Sequence, residues 1–222
     1  MKYRHEYKIK ISILEMIELR NRIEQVMKRD EFADSSGKYI VKSLYFDNYM
    51  DKAVREKEDG LNIREKFRIR YYNDDLNFIR LEKKNKRNNL CNKESAVITR
   101  QMCENIIDGE KCSVFDTDNN LLREFYSKMQ YQVLRPRSIV VYSREAFVYD
   151  EGNVRVTFDS NVRGTNNVYS FLENNIPTIS LFKYIILEVK WDEYLPQVIR
   201  DIVQIGTKSI SSYSKYVSTR FI

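Results

Sequence analysis

The sequence is poor in the residues that build most metal centres and nucleophilic sites. Its 222 residues include one histidine, three cysteines, three prolines and six glycines. With His5 as its single histidine, the chain cannot form a multi-histidine metal site, and a Ser-His-Asp triad would have to be built around that residue. The three cysteines show no Cys-x-x-Cys spacing, so neither a zinc site nor a disulfide framework is expected.

Two longer patterns are also missing. No segment approaches the roughly 20 apolar residues that span a bilayer, so no membrane segment is predicted. No Walker-type glycine-rich loop ending in Gly-Lys-Ser or Gly-Lys-Thr is present, which disfavours a P-loop nucleotide enzyme. Because unpaired cysteines fit a reducing compartment, we predict a cytoplasmic protein.

Charged and aromatic residues are plentiful instead. Lysine and arginine total 38 against 32 aspartates and glutamates, the formal net charge is +6, and tyrosine occurs 16 times. Hydrophobic residues make up 42% of the chain, which is enough for a packed core, so disorder is not expected. The length fits a single domain, predicted over residues 1–222, and the excess of positive charge suggests an anionic partner.

Several segments alternate charged and apolar residues with the period of a β-strand. They are residues 3–8, 67–71, 79–84, 154–159 and 186–190. Because residues two apart on a strand share a face, Arg68 projects with Arg70, and Glu188 projects with Lys190. One face of the predicted sheet therefore carries many cations and a few carboxylates. Such a face suits a polyanion with a divalent metal, but it can equally be an ordinary solvated surface, and alternation alone leaves both interpretations open.

The remaining elements follow from local signals. Ser12 and Glu15 form a capping box in front of a helical apolar stripe that runs to about residue 28. Charged residues at the end of a later strand, Lys83, Lys86 and Arg87, are expected to face solvent. The other predicted elements are strands at about 39–47, 64–73, 77–86, 89–98 and 183–191, helical segments within 99–131, a hairpin over 137–163, a helix from about 195 to Gly206, and a serine-rich tail.

These elements predict an α+β fold of about eight mostly antiparallel strands with helices on one side. Each amphipathic helix must bury its stripe, and the apolar strand face is the natural place for it. That face includes Ile69, Leu81, Val156 and Leu187. The charged face then points away from the helices. It is exposed to water if the sheet stays open, and it lines a lumen if the sheet closes into a barrel.

Several of these segments, in the same order, resemble the VTC domain, the polyphosphate polymerase module of the vacuolar transporter chaperone within the triphosphate tunnel metalloenzyme superfamily. The matching segments are residues 4–8, 68–72, 81–84, 142–147, 154–159, 187–190 and 214–216. The resemblance spans nearly the whole chain. It implies a closed antiparallel eight-stranded tunnel barrel with helices packed on the outside and a chain of phosphates held in its basic interior.

The resemblance also implies roles for individual positions. Glu188 resembles the carboxylate that holds a divalent metal, Mn²⁺ or Mg²⁺. Arg4 stands where the superfamily often has the first glutamate of a Glu-x-Glu-x-Lys pattern, and Ser212 stands where the polymerase pattern has a basic residue. The implied catalytic cations are Arg68, Arg70, Arg144 and Arg155, and the implied phosphate-binding residues are Lys8, Lys84, Lys93, Tyr142, Ser214 and Lys215.

The activity implied is transfer of the γ-phosphate of ATP to a growing polyphosphate chain. Phosphoryl transfer requires positioning and neutralisation of charge more than a protein nucleophile, which agrees with the lack of a histidine- or cysteine-based site. The alternatives are hydrolysis of inorganic triphosphate or a nucleoside triphosphate in the same tunnel, and a non-catalytic polyphosphate-binding module. No RNA-binding motif supports a nucleic-acid partner, and the sequence identifies no membrane protein as a partner.

Overall fold

The computed structural model describes residues 3–88, 90–110, 117–204 and 213–221. Its strands are β1 (His5–Ile11), β2 (Lys28–Arg29), β3 (Tyr39–Asp47), β4 (Ile63–Tyr72), β5 (Ile79–Arg87), β6 (Leu90–Ile98), β7 (Arg135–Tyr149), β8 (Val154–Thr165), β9 (Ile179–Ser180) and β10 (Ile185–Trp191). Its helices are α1 (Ile13–Ile23), α2 (Lys52–Glu58), α3 (Arg100–Asp108), α4 (Asn120–Tyr131), α5 (Gln197–Val203) and α6 (Lys215–Thr219). Within this described part, none of the helices has both the length and the apolar character needed to cross a bilayer.

The strands form one sheet in which every pairing is antiparallel. The main path runs β1-β10-β8-β7-β3-β4-β5-β6, with β2 added to β7 and β9 added to β8. The eight strands of this path are those that the sequence predicts, while the two-residue strands β2 and β9 are not predicted. The register places Lys8 opposite Glu188, and Arg68 opposite Glu82. The mixed α+β architecture with a large antiparallel sheet is therefore confirmed.

The two end strands of the path meet at one point. The backbone N–H of Arg4, just before β1, donates to the carbonyl of Cys91 in β6, and the N–H of Cys91 donates back, both at 2.9 Å. This is an isolated bridge and not a continuous ladder. Among the described residues, strand pairing therefore does not close the sheet into the barrel that the resemblance implies, although its edges touch.

Helices cover the apolar face of the sheet, as predicted. Ile69 and Leu81 are fully buried in a cluster that also contains Phe125 of α4. Val156 and Leu187 are buried in a second cluster with residues of α1 and α5. Burial of these side chains supplies most of the driving force for folding, since apolar burial contributes roughly 25 cal/mol per Å². It also fixes the orientation of the opposite, charged face.

The short helix α6 lies in the serine-rich tail, where the sequence predicts no helix. It is attached to the sheet by specific contacts: Tyr216 donates to Asp47 at 2.8 Å, and the hydroxyls of Ser138 and Thr219 lie 3.0 Å apart. A side chain at Gly164 of β8 would collide with Thr219, so glycine permits this close approach. The contacts hold the first residue of α6, Lys215, against the charged face.

The capping box of α1 gives a first prediction. The Ser12 hydroxyl accepts from the N–H of Glu15 at 3.3 Å, and the Glu15 carboxylate accepts from the N–H of Ser12 at 2.7 Å. Ser12→Ala removes one of these bonds and should lower the free energy of unfolding by about 1 kcal/mol in urea denaturation. The same substitution at Ser180, an exposed residue of β9, is the control and should cost less. Equal costs at the two sites would contradict a capping role.

Candidate functional site

The charged face of the sheet surrounds a cavity of about 660 Å³. Every strand of the main path contributes a lining side chain, because alternate residues of each strand point to this face. All the positions for which the resemblance implies a role line this one cavity. They are Lys8, Arg68, Arg70, Lys84, Lys93, Tyr142, Arg144, Arg155, Glu188, Ser214 and Lys215. Ser212 lies outside the described residues.

Glu82 of β5 organises one group of these cations. Its buried carboxylate accepts from Arg68 Nε at 2.7 Å and from Lys93 Nζ at 3.0 Å, and Arg70 Nη1 lies 3.8 Å away. Arg70 also donates to the hydroxyl of Tyr142 at 3.0 Å. Burial acts to raise the pKa of Glu82, but Arg68 and Arg70 outweigh it and hold the pKa well below its usual value. Glu82 therefore stays ionised and fixes the arginines in place.

Asp159 of β8 organises a second group. Arg144 donates to its two carboxylate oxygens at 2.6 and 2.8 Å in a bidentate arrangement, and Lys215 Nζ lies 2.5 Å from Oδ2. Asp159 is fully buried. Burial would raise its pKa, but Arg144 and Lys215 lower the pKa to about 2. A planar guanidinium held on one edge by a carboxylate is pre-oriented for a second anion.

Glu6 and Glu188 share a third group of cations. Lys8 Nζ lies 3.3 Å from Glu6 Oε1 and 4.0 Å from Glu188 Oε1, and Lys190 Nζ lies 2.7 Å from Glu188 Oε1. Lys84 Nζ lies 2.7 Å from Glu6 Oε2. Burial acts to raise both carboxyl pKa values, but the lysines lower that of Glu6 to about 2 and, with an arginine, hold that of Glu188 well below its usual value. Both groups are therefore carboxylates near neutral pH.

These two carboxylates fit a divalent metal of the Mg²⁺ or Mn²⁺ type. Such hard ions prefer oxygen ligands, and Glu6 and Glu188 both line the cavity in the ionised form. Among the residues that the structure describes, no group of three or more His, Cys, Asp or Glu side chains is placed to hold a metal ion. The protein therefore offers few oxygens, and the remaining coordination positions would fall to phosphate oxygens of a ligand.

Arg155 lies apart from these three groups. Its guanidinium contacts Asp30, which follows β2, and donates to the hydroxyl of Tyr39 at 3.0 Å. Burial raises the pKa of Tyr39 even though Arg144 and Arg155 oppose the shift. Tyr39 therefore remains a neutral hydroxyl near neutral pH.

A second cavity of about 410 Å³ adjoins the first. Both cavities are lined by Glu6, Lys8, Lys66, Lys84 and Ser214, among others. The second is also lined by Lys57, Arg64 and Lys86. The expectation that Lys86 simply faces solvent is therefore incomplete.

The same expectation for Lys83 is wrong. Its side chain is 11% exposed and lies 2.5 Å from Glu124 Oε1 of α4 and 3.4 Å from Glu65 Oε2. Helix α4 covers this end of β5, so the ammonium group is enclosed by carboxylates.

Sequence reasoning found the cations and Glu188 but assigned no role to Glu82 or Asp159. Each of them lies directly opposite an expected arginine in the register, Glu82 opposite Arg68 and Asp159 opposite Arg144. The sequence did contain a signal for both residues, because each carboxylate lies at a strand position whose side chain points to the charged face.

Comparisons with known proteins identify a family for the sequence and similar folds among solved structures. The family model of the VTC domain matches residues 3–220. No curated protein matches the sequence. The fold is similar to that of a putative adenylyl cyclase from Hippeastrum, described as having a dominant triphosphatase activity, with 12% identity, a TM-score of 0.56 and coverage of 99% of this chain and 95% of that one. A putative adenylate cyclase from Bacillus halodurans gives 13% identity, a TM-score of 0.51 and coverage of 94% and 95%. At these identities the likeness concerns the fold alone.

Proposed function

Since the chain belongs to the VTC domain family, we propose that it is a metal-dependent polyphosphate polymerase that transfers the γ-phosphate of ATP to a growing polyphosphate chain. The observation that carries this proposal is the larger cavity, in which seven of the eight strands of the main path place cations, most of them paired with carboxylates. We further propose that residues 1–222 form one domain. We also propose that the edges of the sheet, which touch at Arg4 and Cys91, complete a tunnel around the bound polyphosphate.

The two adjoining cavities favour a polymer over a short substrate. Because they share lining residues, the two cavities are adjacent, and we propose that a linear polyanion in the larger one extends into the smaller one. The smaller cavity adds Lys57, Arg64 and Lys86, so it is also suited to phosphate. Burial, with Arg64 and Lys86 nearby, lowers the pKa of Lys57, and an anion would relieve this repulsion.

In the proposed reaction, an oxygen of the terminal phosphate of the chain forms a bond to the γ-phosphorus of ATP. The bond from that phosphorus to the bridging oxygen of the β-phosphate breaks, and ADP leaves. Arg68 and Arg144 grip phosphate oxygens with the guanidinium edges that Glu82 and Asp159 leave available. The hydroxyls of Tyr142 and Ser214 supply further donors.

A divalent ion held by Glu188, with Glu6 beside it, would neutralise charge on the phosphate oxygens. The rest of the electrostatic stabilisation comes from groups that are already oriented in the folded protein, which is the most effective form of such catalysis. No protein nucleophile is needed, so the lack of a histidine-based triad is consistent with this scheme.

Hydrolysis of inorganic triphosphate or a nucleoside triphosphate is the second candidate. It is favoured by the likeness in fold to the Hippeastrum protein, which is described as a triphosphatase. A non-catalytic polyphosphate-binding module is the third. In all three cases the ligands are polyphosphates or nucleotides and not nucleic acids. A cytoplasmic location remains part of the proposal, because the described cysteines, Cys91 and Cys103, are buried free thiols.

Incubation of the purified protein with ATP and Mn²⁺ tests the proposal. We expect long phosphate chains, detected by gel electrophoresis, to accumulate together with ADP, because the cavity is suited to a phosphate acceptor as well as to ATP. Orthophosphate without chains would assign hydrolysis instead. The controls are a reaction in which glucose replaces ATP and a reaction without metal, and neither should give phosphate chains.

A binding measurement separates the third candidate from a wrong site. Tripolyphosphate should raise the melting temperature at low salt, because a ligand that binds only the folded state stabilises it. The shift should shrink at high salt and be absent with AMP at the same concentration. A shift without turnover would assign a binding module, and no shift with any polyphosphate would overturn the site itself.

A further inference from the structure

Lys66 of β4 differs from the other lysines at the centre of the site. It lines both cavities, so it lies between them. Among the described residues, no carboxylate forms an ion pair with its ammonium group, whereas Lys8, Lys84 and Arg68 have such partners in Glu6 and Glu82. The family resemblance assigns Lys66 no role.

The surroundings of Lys66 are cationic. Lys84 of β5 lies directly opposite it in the register, Lys8 projects from β1, and Arg68 lies two residues further along the same strand. From β3 the ring of Tyr45 lies 5.6 Å from its Nζ, and the Tyr45 hydroxyl accepts from Arg68 Nη1 at 3.2 Å. A partly buried ammonium group among other cations is unfavourable until an anion joins it or its proton leaves.

The ionisation of this cluster follows from that arrangement. Burial lowers the pKa of Lys66 to about 7; Tyr45 opposes the shift, while Lys84, Lys8 and Arg68 add to it. Burial would raise the pKa of Tyr45, but Arg68, Lys66 and Arg70 outweigh it and lower the pKa to about 7. Lys66 is therefore charged below neutral pH and loses its charge as the pH rises, and a bound polyanion would favour the charged form.

We propose that Lys66 forms an additional subsite for one phosphoryl group of linear polyphosphate between the two cavities, with Lys8 and Lys84 on either side. This proposal rests on the proposed function. The subsite extends the phosphate path beyond the residues that the resemblance identifies. It lies between the two cavities, and its central residue, Lys66, has no ion-paired carboxylate among the described residues, whereas the flanking Lys8 and Lys84 are paired with Glu6. An anion bound there therefore displaces no ion pair of Lys66.

The test is polyphosphate affinity of the metal-free protein at pH 6 and pH 8.5. We expect Lys66→Met to weaken binding about tenfold at pH 6, the effect of one charge-assisted contact, and to differ little from the wild type at pH 8.5, where Lys66 is already neutral. Ligand protonation acts equally on both proteins, so their difference isolates Lys66. Lys52→Met, which removes one positive charge from α2 outside both cavities, is the matched control and should bind like the wild type.

Two further variants separate other sources of pH dependence. Lys66→Arg keeps its charge at both pH values, so it should bind more tightly than the wild type at pH 8.5. Tyr45→Phe removes the tyrosine ionisation but keeps Lys66, so the pH 6 affinity should persist. A folded Lys66→Met protein with wild-type affinity at pH 6 would overturn the subsite. Absence of polyphosphate binding by the wild type would overturn the proposed function itself.

Discussion

Replacement of Glu188 by glutamine is expected to lower turnover by orders of magnitude while polyphosphate binding without metal persists or tightens. The side chain keeps its shape but loses the charge that a hard divalent ion requires. Loss of one negative charge from a cation-rich cavity removes competition for the phosphate chain, because Glu188 pairs with Lys190 at 2.7 Å and with Arg144 at 3.5 Å.

The measurement is turnover as a function of Mn²⁺ and Mg²⁺ concentration, alongside metal-free binding of polyphosphate. Glu145→Gln is the matched control, since Glu145 is also a buried carboxylate paired with two cations, Arg20 and Lys38, but it does not line the cavity. The control should retain both turnover and metal dependence. If Glu188→Gln retained them as well, Glu188 would be only an ion-pair partner and not the metal ligand.

The composition of the cavity was predictable because side-chain alternation is a local property. A residue such as Arg70 or Lys84 needs only the correct parity on its strand to face the cavity. The core face was predictable for the same reason, and Ile69 and Leu81 are both fully buried under helices. The family resemblance added predicted roles for individual cations, and these roles stay predictions.

Other features depend on three-dimensional relations that local patterns do not contain. The pairing of Arg144 with Asp159 follows from the register between β7 and β8, and a shift by one residue would reverse every face. Closure of a sheet depends on strand tilt and stagger, so a single bridge at Arg4 and Cys91 could not be predicted from alternation.

Helix α6 illustrates the same limit. A helix of this length is marginal by itself, and here tertiary contacts such as that of Tyr216 with Asp47 hold it. The burial of Lys83 likewise requires α4 to cover β5, which no pattern within β5 indicates.

The double substitution Arg68→Ala with Arg70→Ala should remove most polyphosphate binding and also destabilise the fold. Two charge-assisted contacts to phosphate are lost, each of about 1.5–3 kcal/mol. Glu82, which is 1% exposed, also loses two of its cations and keeps Lys93, whose side chain is 47% exposed. Leaving a buried charge so poorly paired costs about 3–5 kcal/mol.

The two effects can be separated by adding Glu82→Gln. A neutral amide costs less to bury than an unpaired carboxylate, so the triple variant should recover much of the stability in urea denaturation but none of the binding. Arg100→Ala with Arg123→Ala, which removes two arginines from exposed ion pairs, is the control for charge and should change neither property by much.

The pH dependence gives a further check with a defined sign. In the wild type, the pKa of Glu82 is lower in the folded protein than in the unfolded protein, where it lies near 4.5. The ionised carboxylate therefore stabilises the fold at pH values above 4.5. This stabilisation is lost as the pH falls towards the pKa of Glu82 in the folded protein. Without the arginines, burial raises the pKa of Glu82, so protonation of its carboxyl group relieves the strain of the unpaired charge. The stability difference between the wild type and the double variant should therefore narrow as the pH falls from neutral towards 4.5. A difference that stays constant would mean that the ionisation of Glu82 does not depend on these arginines, and unchanged binding would mean that they hold Glu82 in place without contacting phosphate.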